Sequence, residues 1–228
     1  MNILITAAVA VISYLIGSVN FSILLSRLLG GKDIRESGSG NAGATNMLRT
    51  YGKKMGVITL LLDVLKGVVV VILAGFIVSA AELYTLGAGL AQAEGAQSFS
   101  DMSYLPYIAG VCVILGHNFP LYFGFKGGKG VATSLGVVLV LDWKVGLIVA
   151  ACAVAVMALT RYVSLGSILG GAAYITVEIV KAVVTGNYNI TQLVCVVIIG
   201  GLLIVRHKEN IKRLIAGTEN KLGAKKSR

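Results

Sequence analysis

Ser39, Arg49, Lys129 and His207 stand in three polar stretches of an otherwise apolar chain: GSGNAGATNMLR (Gly38–Arg49), GHNFPLYFGFKGGKGVATS (Gly116–Ser134) and RHKENIKRLIAGTENKLG (Arg206–Gly223). In the first, small residues let backbone approach a ligand closely, and successive N–H groups can form an anion-binding nest. Ser39, Asn41, Thr45 and Asn46 add neutral hydrogen-bonding groups. Arg49 adds a planar fork that fits phosphate. In the second, Lys126 and Lys129 flank Gly127 and Gly128 just before a helix start, where free N–H groups and the helix dipole favour anions. A nucleotide phosphate loop needs Ser or Thr directly after Gly-Lys, and here Gly130 follows Lys129, so nucleotide binding is not inferred. In the third, Ile211, Leu214 and Ile215 fit one face of a short interfacial helix with Lys and Arg opposite. His207 and Asn210, three apart, share a face. Taken singly, each stretch also fits something plainer: an ordinary polar loop, a turn with snorkelling lysines, or a basic tail resting on anionic lipid.

The elements that must position these residues are membrane helices. The chain is 56% hydrophobic and only 13% charged, against about a quarter charged for a soluble domain, and its mean hydropathy is +0.86. Roughly 20 apolar residues span a bilayer. Seven segments qualify, at 3–25, 55–80, 104–124, 129–141, 144–160, 163–184 and 190–205, the fourth being short and rich in small residues. The expectation is an all-α integral membrane protein with seven transmembrane helices. It forms one transmembrane domain over 1–228, with a basic cytoplasmic tail at 206–228.

Lys and Arg favour cytoplasmic loops. Arg27, Lys32, Arg35, Arg49, Lys53 and Lys54 lie between the first two segments. The loop 81–103 carries Glu82, Glu94 and Asp101 without a Lys or Arg, and eight basic residues follow from Arg206 onward. The alternation places the N-terminus outside and the C-terminus in the cytoplasm. Merging the fourth and fifth segments would send the basic tail outside. The N-terminus lacks a basic region before Arg27 and a small-residue cleavage site, so it reads as a retained helix.

All three polar stretches then fall at cytoplasmic helix ends. A transporter places its key polar groups near the midplane, often in inverted repeats, and no repeat is evident. A protein doing chemistry at the membrane surface gathers them at one face. The net charge of +10 concerns loop placement, and no nucleic-acid-binding motif is present. Cys112, Cys152 and Cys195 fall in apolar runs and read as buried inert thiols. No Cys, His or carboxylate spacing suggests a metal. Asp63 and Lys66, three apart at membrane depth, read as a structural ion pair, as do Glu178 and Lys181. Ser18, Ser22 and Ser26 read as a helix-packing stripe.

In order, length and placement, the three stretches resemble the signature segments of the bacterial acyl-phosphate:glycerol-3-phosphate acyltransferase family known as PlsY, and the resemblance covers essentially the whole chain. The outer loop 81–103 is longer than this compact family needs. The resemblance implies transfer of a fatty acyl group from acyl phosphate to the sn-1 hydroxyl of sn-glycerol 3-phosphate. The products are lysophosphatidate and phosphate, formed at the cytoplasmic side of the bacterial inner membrane with no metal or cofactor. The implied partners are sn-glycerol 3-phosphate, long-chain acyl phosphate and membrane lipid, with no nucleic acid, and a monomer suffices. A transporter for phosphate esters and a non-catalytic lipid-binding scaffold are the rival readings.

The resemblance assigns catalysis to Ser39, Arg49, Lys129 and His207. Substrate binding falls to Gly38, Gly40, Asn41, Thr45, Asn46, His117, Asn118, Lys126, Gly127, Gly128, Gly130, Thr133, Ser134, Arg206 and Asn210. Thr133 and Ser134 are expected to cap the next helix and touch the same anion. His207 and a substrate phosphate oxygen are both candidate acceptors of the hydroxyl proton. The resemblance favours the phosphate, since the stretches offer no obvious carboxylate base and no His-x4-Asp pair: Tyr122 and Lys212 stand where the Asp would be.

Overall fold

The computed structural model describes residues 2–90, 102–186 and 188–223. Its regular structure there is entirely helical, apart from turns: α1 Asn2–Ser18, α2 Phe21–Gly30, α3 Ala44–Leu90, α4 Leu105–Asn118, α5 Val131–Leu141, α6 Trp143–Thr160, α7 Val163–Thr185, α8 Ile190–Arg206 and α9 Lys208–Ile215. Each of the seven expected apolar segments is helical. Five described helical stretches are long and apolar enough to cross a membrane, and a sixth if α8 and α9, bent by 53°, count as one. The fourth expected crossing, α5, has 11 residues, about 16 Å at 1.5 Å per residue, short of a hydrocarbon core of roughly 30 Å.

Three boundaries differ from the sequence expectation. The first segment, expected as one helix over 3–25, breaks at Val19 and Asn20. Asn20 caps α2, its side chain accepting from the Ile23 amide at 3.2 Å. The helix expected at 55–80 lies in a helical run from Ala44 to Leu90 that non-helical Gly52 (φ 85°) divides into two helices, a short one before it and the long apolar one after it. Half of the first polar stretch is therefore helix rather than loop, and of the expected outer loop 81–103 the first ten residues are helix while 91–101 lie outside the described residues. The segment expected to run to 124 ends as helix at Asn118, ahead of the turn Leu121–Phe123.

The break between α5 and α6 holds as expected. Asp142 caps α6, accepting from the amides of Lys144 at 3.0 Å and Val145 at 3.1 Å. The expected pair of Glu178 and Lys181 forms at 3.4 Å, and Lys181 also meets Asp142 at 2.5 Å, a contact the sequence did not suggest.

Helix α1 packs along α4, α3 along α5, and α6, α7 and α8 in succession. Glycines permit the close approaches: a Cβ on Gly67 would meet the Thr133 carbonyl, and one on Gly136 the Val64 carbonyl. Such small-residue contacts are the usual means of helix association in membranes. The core between them holds Val71, Leu105, Val113, Ile114, Val137, Val196 and Ile199. Cys195 is buried and Cys112 partly so, but Cys152 is exposed on α6, against expectation, because that helix turns much of its apolar surface outward.

Candidate functional site

The first loop rests on its own small core of Ile23, Ile34, Ala42 and Met47. Ser18, Ser22 and Ser26 are fully buried, as a packing stripe should be, and two of them also anchor loop backbone. The Ser26 hydroxyl accepts from the Ile34 amide at 3.0 Å, and the Ser18 hydroxyl accepts from the Leu121 amide at 3.2 Å. Buried Asn46 ties the loop together: its amide donates to the carbonyls of Ile34 (3.1 Å) and Ser37 (3.0 Å) and accepts from the Ser39 amide (2.9 Å). Its side chain, expected to bind substrate, is thus engaged in shaping the loop. Gly38 and Gly40 take positive φ of 61° and 72°, and a Cβ on Gly38 would collide with the Asn46 side chain. Ser39 stays exposed at the loop tip. Thr45 and Arg49 project from the first turns of α3, Arg49 exposed, and Asn41 is half-buried beside them.

The second loop folds back onto the end of α4. The Gly127 amide donates to the Asn118 carbonyl at 3.2 Å and the Gly128 amide to the His117 carbonyl at 3.1 Å. Arg35 staples it to the first loop, donating to the carbonyls of Phe123 and Lys126, both at 2.8 Å. The Arg35 guanidinium is itself held by Asp33 at 2.8 Å, and its hydrogen bonds lower the Asp33 carboxyl to about 2. Gly130, at φ 80°, starts α5 with no side-chain cap. Thr133 and Ser134 therefore do not cap α5 as expected. Their hydroxyls, and both amide atoms of Asn118, are buried without a hydrogen-bond partner among the described residues. Buried polar atoms nearly always find partners. Here they line the open N-terminus of a helix, where an anion would accept from the two hydroxyls and from Asn118 Nδ2.

The third stretch closes the site. Arg206 donates to the Gly128 carbonyl at 2.8 and 3.2 Å and lies over the Phe119 ring at 4.9 Å. Lys129 donates to Asn210. Asn210 in turn donates to Glu219 at 2.7 Å, which also accepts from Arg213 (2.7 Å) and Ser164 (2.8 Å). His207 makes a 2.7 Å bond from Nδ1 to the Leu203 carbonyl. A carbonyl only accepts, so Nδ1 carries the proton and Nε2 is left as an acceptor. Burial lowers the Lys129 ammonium to about 8, with the cations Arg213, Arg206 and Arg49 adding to the shift and Glu219 opposing it. Lys129 thus feels cations from the first and third stretches, and the three stretches that sequence kept apart share one electrostatic site. Lys126 stays exposed at its edge.

Sequence reasoning passed over Arg35, Arg213 and Glu219, the residues that lock this arrangement. Glu219 lies inside the third stretch, and its pairing with Arg213 six residues earlier was the available signal.

The family model described as glycerol-3-phosphate acyltransferase matches residues 7–217. A protein of Clostridioides difficile (strain 630), named glycerol-3-phosphate acyltransferase, is 42% identical over 219 residues, covering 96% of each chain. One of the same name from Thermoanaerobacter pseudethanolicus is 41% identical over 217 residues, covering 95% of each. The crystal structure of PlsY (YgiH), an integral membrane glycerol 3-phosphate acyltransferase in its glycerol 3-phosphate form, superposes with a TM-score of 0.76 at 36% identity over 96% of each chain. Its lysophosphatidic acid form gives 0.72 at 35% identity, over 96% of this chain and 95% of that one.

Proposed function

The chain belongs to the glycerol-3-phosphate acyltransferase family, PlsY, and from that premise we propose that it acylates sn-glycerol 3-phosphate at the sn-1 hydroxyl with acyl phosphate as donor. The products are 1-acyl-glycerol 3-phosphate and inorganic phosphate. The observation that carries the reading is the meeting of three cationic stretches at the glycine loop. Arg206 and Lys129 bind across it, and the buried polar atoms of Asn118, Thr133 and Ser134 wait at the start of α5.

Both substrates carry phosphate, and the site offers cations and free amides for it. Ser39 and Arg49 orient one phosphate at the first loop. The glycine loop from Gly127 to Gly130 cradles another, and Lys129 stabilises the charge that develops as the acyl–oxygen bond breaks. Asn210 holds Lys129 in place. The sn-1 hydroxyl oxygen attacks the acyl carbonyl carbon, and the bond from that carbon to the phosphate oxygen breaks. Its electron pair leaves with phosphate, and the hydroxyl proton passes to a phosphate oxygen. Glu219 is taken up by Asn210, Ser164 and Arg213, so it is no base. The Nε2 of His207 is the alternative acceptor. Acyl phosphate is already activated, so positioning and charge stabilisation suffice without metal or cofactor.

The same reading has one transmembrane domain with seven crossings, in the bacterial inner membrane. The N-terminus is outside and the site faces the cytoplasm. The test supplies purified protein with labelled glycerol 3-phosphate and either palmitoyl phosphate or palmitoyl-CoA, with EDTA present. Lysophosphatidate from the acyl phosphate alone, lost in Ser39→Ala, is the expected result. Product from the CoA thioester would overturn the donor assignment. Counterflow of glycerol 3-phosphate in proteoliposomes without acylation would overturn the enzyme reading.

A further inference from the structure

Inside the helix bundle, beneath the site, three almost fully buried ionisable side chains meet. Asp63 and Lys66 of α3 and His117 of α4 are 1%, 5% and 3% exposed. The Lys66 ammonium lies 2.9 Å from Asp63 Oδ1 and donates to the Val19 carbonyl at 3.0 Å and the Gly17 carbonyl at 3.4 Å, where α1 breaks. It also lies 2.9 Å from His117 Nδ1. An ammonium has only donors, so Nδ1 accepts, and the one proton of a neutral imidazole sits on Nε2. The alternative, Nδ1–H donating to Asp63, would need the 3.5 Å separation recorded there to beat the 2.9 Å one. It would also leave a lysine hydrogen facing a protonated nitrogen.

Nε2 makes no hydrogen bond among the described residues and faces the site. A Cβ on Gly128 would collide with both His117 Nε2 and the Ala42 carbonyl, so the ring edge lies between the glycine loop and the first loop. The next residue along is Asn118, with its unpartnered amide. We infer that the Asp63–Lys66 pair fixes His117 as an Nε2–H donor to a phosphoryl oxygen held at the glycine loop. Asp63 and Lys66 are then positioning residues, acting on substrate only through His117. The two histidines of the chain carry opposite tautomers: His117 donates into the site from Nε2, and His207 presents an acceptor there. The functional half of this inference rests on the proposed acyl transfer; the tautomer does not.

The experiment separates the two. Protein labelled with 15N-histidine in lipid nanodiscs gives two imidazole spin systems, assigned with His207→Gln. The wild type should show His117 protonated at Nε2 alone at neutral pH. Protonation at Nδ1, or at both nitrogens, overturns the inference whatever the enzyme does. The kinetic arm uses the double variant Asp63→Leu/Lys66→Met, since removing one partner would strand a buried charge while an apolar pair is tolerated. It should fold, lose the fixed tautomer and raise KM for glycerol 3-phosphate roughly 10-fold, as loss of a hydrogen bond to a charged group does, with kcat changed less. His117→Gln, which keeps a donor, should recover part of what His117→Ala loses. A relaxed tautomer with unchanged KM overturns the functional half. Should the double variant fail to fold, the wild-type spectrum and the His117 pair decide.

Discussion

Protonation of Lys129 is where the site meets solution pH. Burial among cations leaves it at about 8 rather than the ordinary lysine value. The lowered value favours the neutral form in the folded protein, so the charged form that the proposed catalysis uses predominates below about pH 8 and is lost above it. The kcat/KM for glycerol 3-phosphate, which reports the free enzyme, should be level up to about pH 7, fall to half near pH 8 and then drop roughly tenfold per unit. Lys129→Arg should move that fall beyond the measurable range, and Lys129→Ala should lower kcat by roughly 10²- to 10³-fold. A profile flat to pH 10 in the wild type would mean that Lys129 keeps its ordinary lysine pKa, and full activity in Lys129→Ala would remove it from the charge-stabilising role. Gly128 gives a second test of different kind. A methyl group there would strike His117 and the Ala42 carbonyl together, neither of which is a flexible end. Gly128→Ala should therefore keep the helices, by circular dichroism, and lose at least about tenfold in kcat/KM. At this scale sequence legibility was uneven. The glycines and cations read as an anion site only when the three stretches are taken together, whereas the Asn46 amide and the Ser18 and Ser26 hydroxyls could not be told from ligand or packing groups. A short polar side chain serves the backbone or a substrate with the same atoms, and only tertiary contact decides.

Elements divide into those that aim the site and those that only hold the bundle. Asn46 fixes the first loop through three hydrogen bonds, so Asn46→Ala should lower both stability and kcat/KM. Asp142 caps α6 with two amide bonds and pairs with Lys181, at the end of α5 remote from Gly130. Asp142→Ala should cost about 1–2 kcal/mol, read as a lower Tm in detergent, with kcat/KM within about twofold of wild type. Activity loss in Asp142→Ala at a temperature where it stays folded would contradict this division. The helix ends were the least legible part of the fold, for a physical reason. Hydropathy marks the stretch of helix that lipid surrounds, not the whole helix. Residues 44–51 form a short helix of their own, divided from the apolar run by non-helical Gly52 and folded back so that Leu48 lies against Gly56, and hydropathy does not find it. The break at Asn20 lies inside an apolar run, where a cap rather than a change of polarity ends the segment.

At the scale of the molecule, charge and helix length bear on the same question of orientation. Helix α5 is too short to cross alone at about 16 Å. It can belong to a crossing only if the glycine loop that precedes it lies below the membrane surface. Non-helical backbone is tolerated at that depth where protein buries it or it lines a polar cavity, and Gly128 and Gly130 are buried among the three stretches. Under the proposed function, a short helix in that position would set the phosphate site toward the level of the acyl donor's head, with a soluble substrate and a lipid-like one at a common depth. This requires the loops bearing Arg49, Lys129 and Arg206 to share one face, with the α7–α8 connection on the other. Single cysteines at Tyr188 and Lys221, both exposed, in a background lacking Cys112, Cys152 and Cys195, test it with a membrane-impermeant maleimide. Tyr188→Cys should label in intact cells and Lys221→Cys only after permeabilisation. Labelling of both from one side would mean an even number of crossings between 188 and 221, and α8 would then be re-entrant rather than spanning. The reverse pattern would put the basic tail outside, against the distribution of Lys and Arg, and leave the phosphate site without access to cytoplasmic substrate.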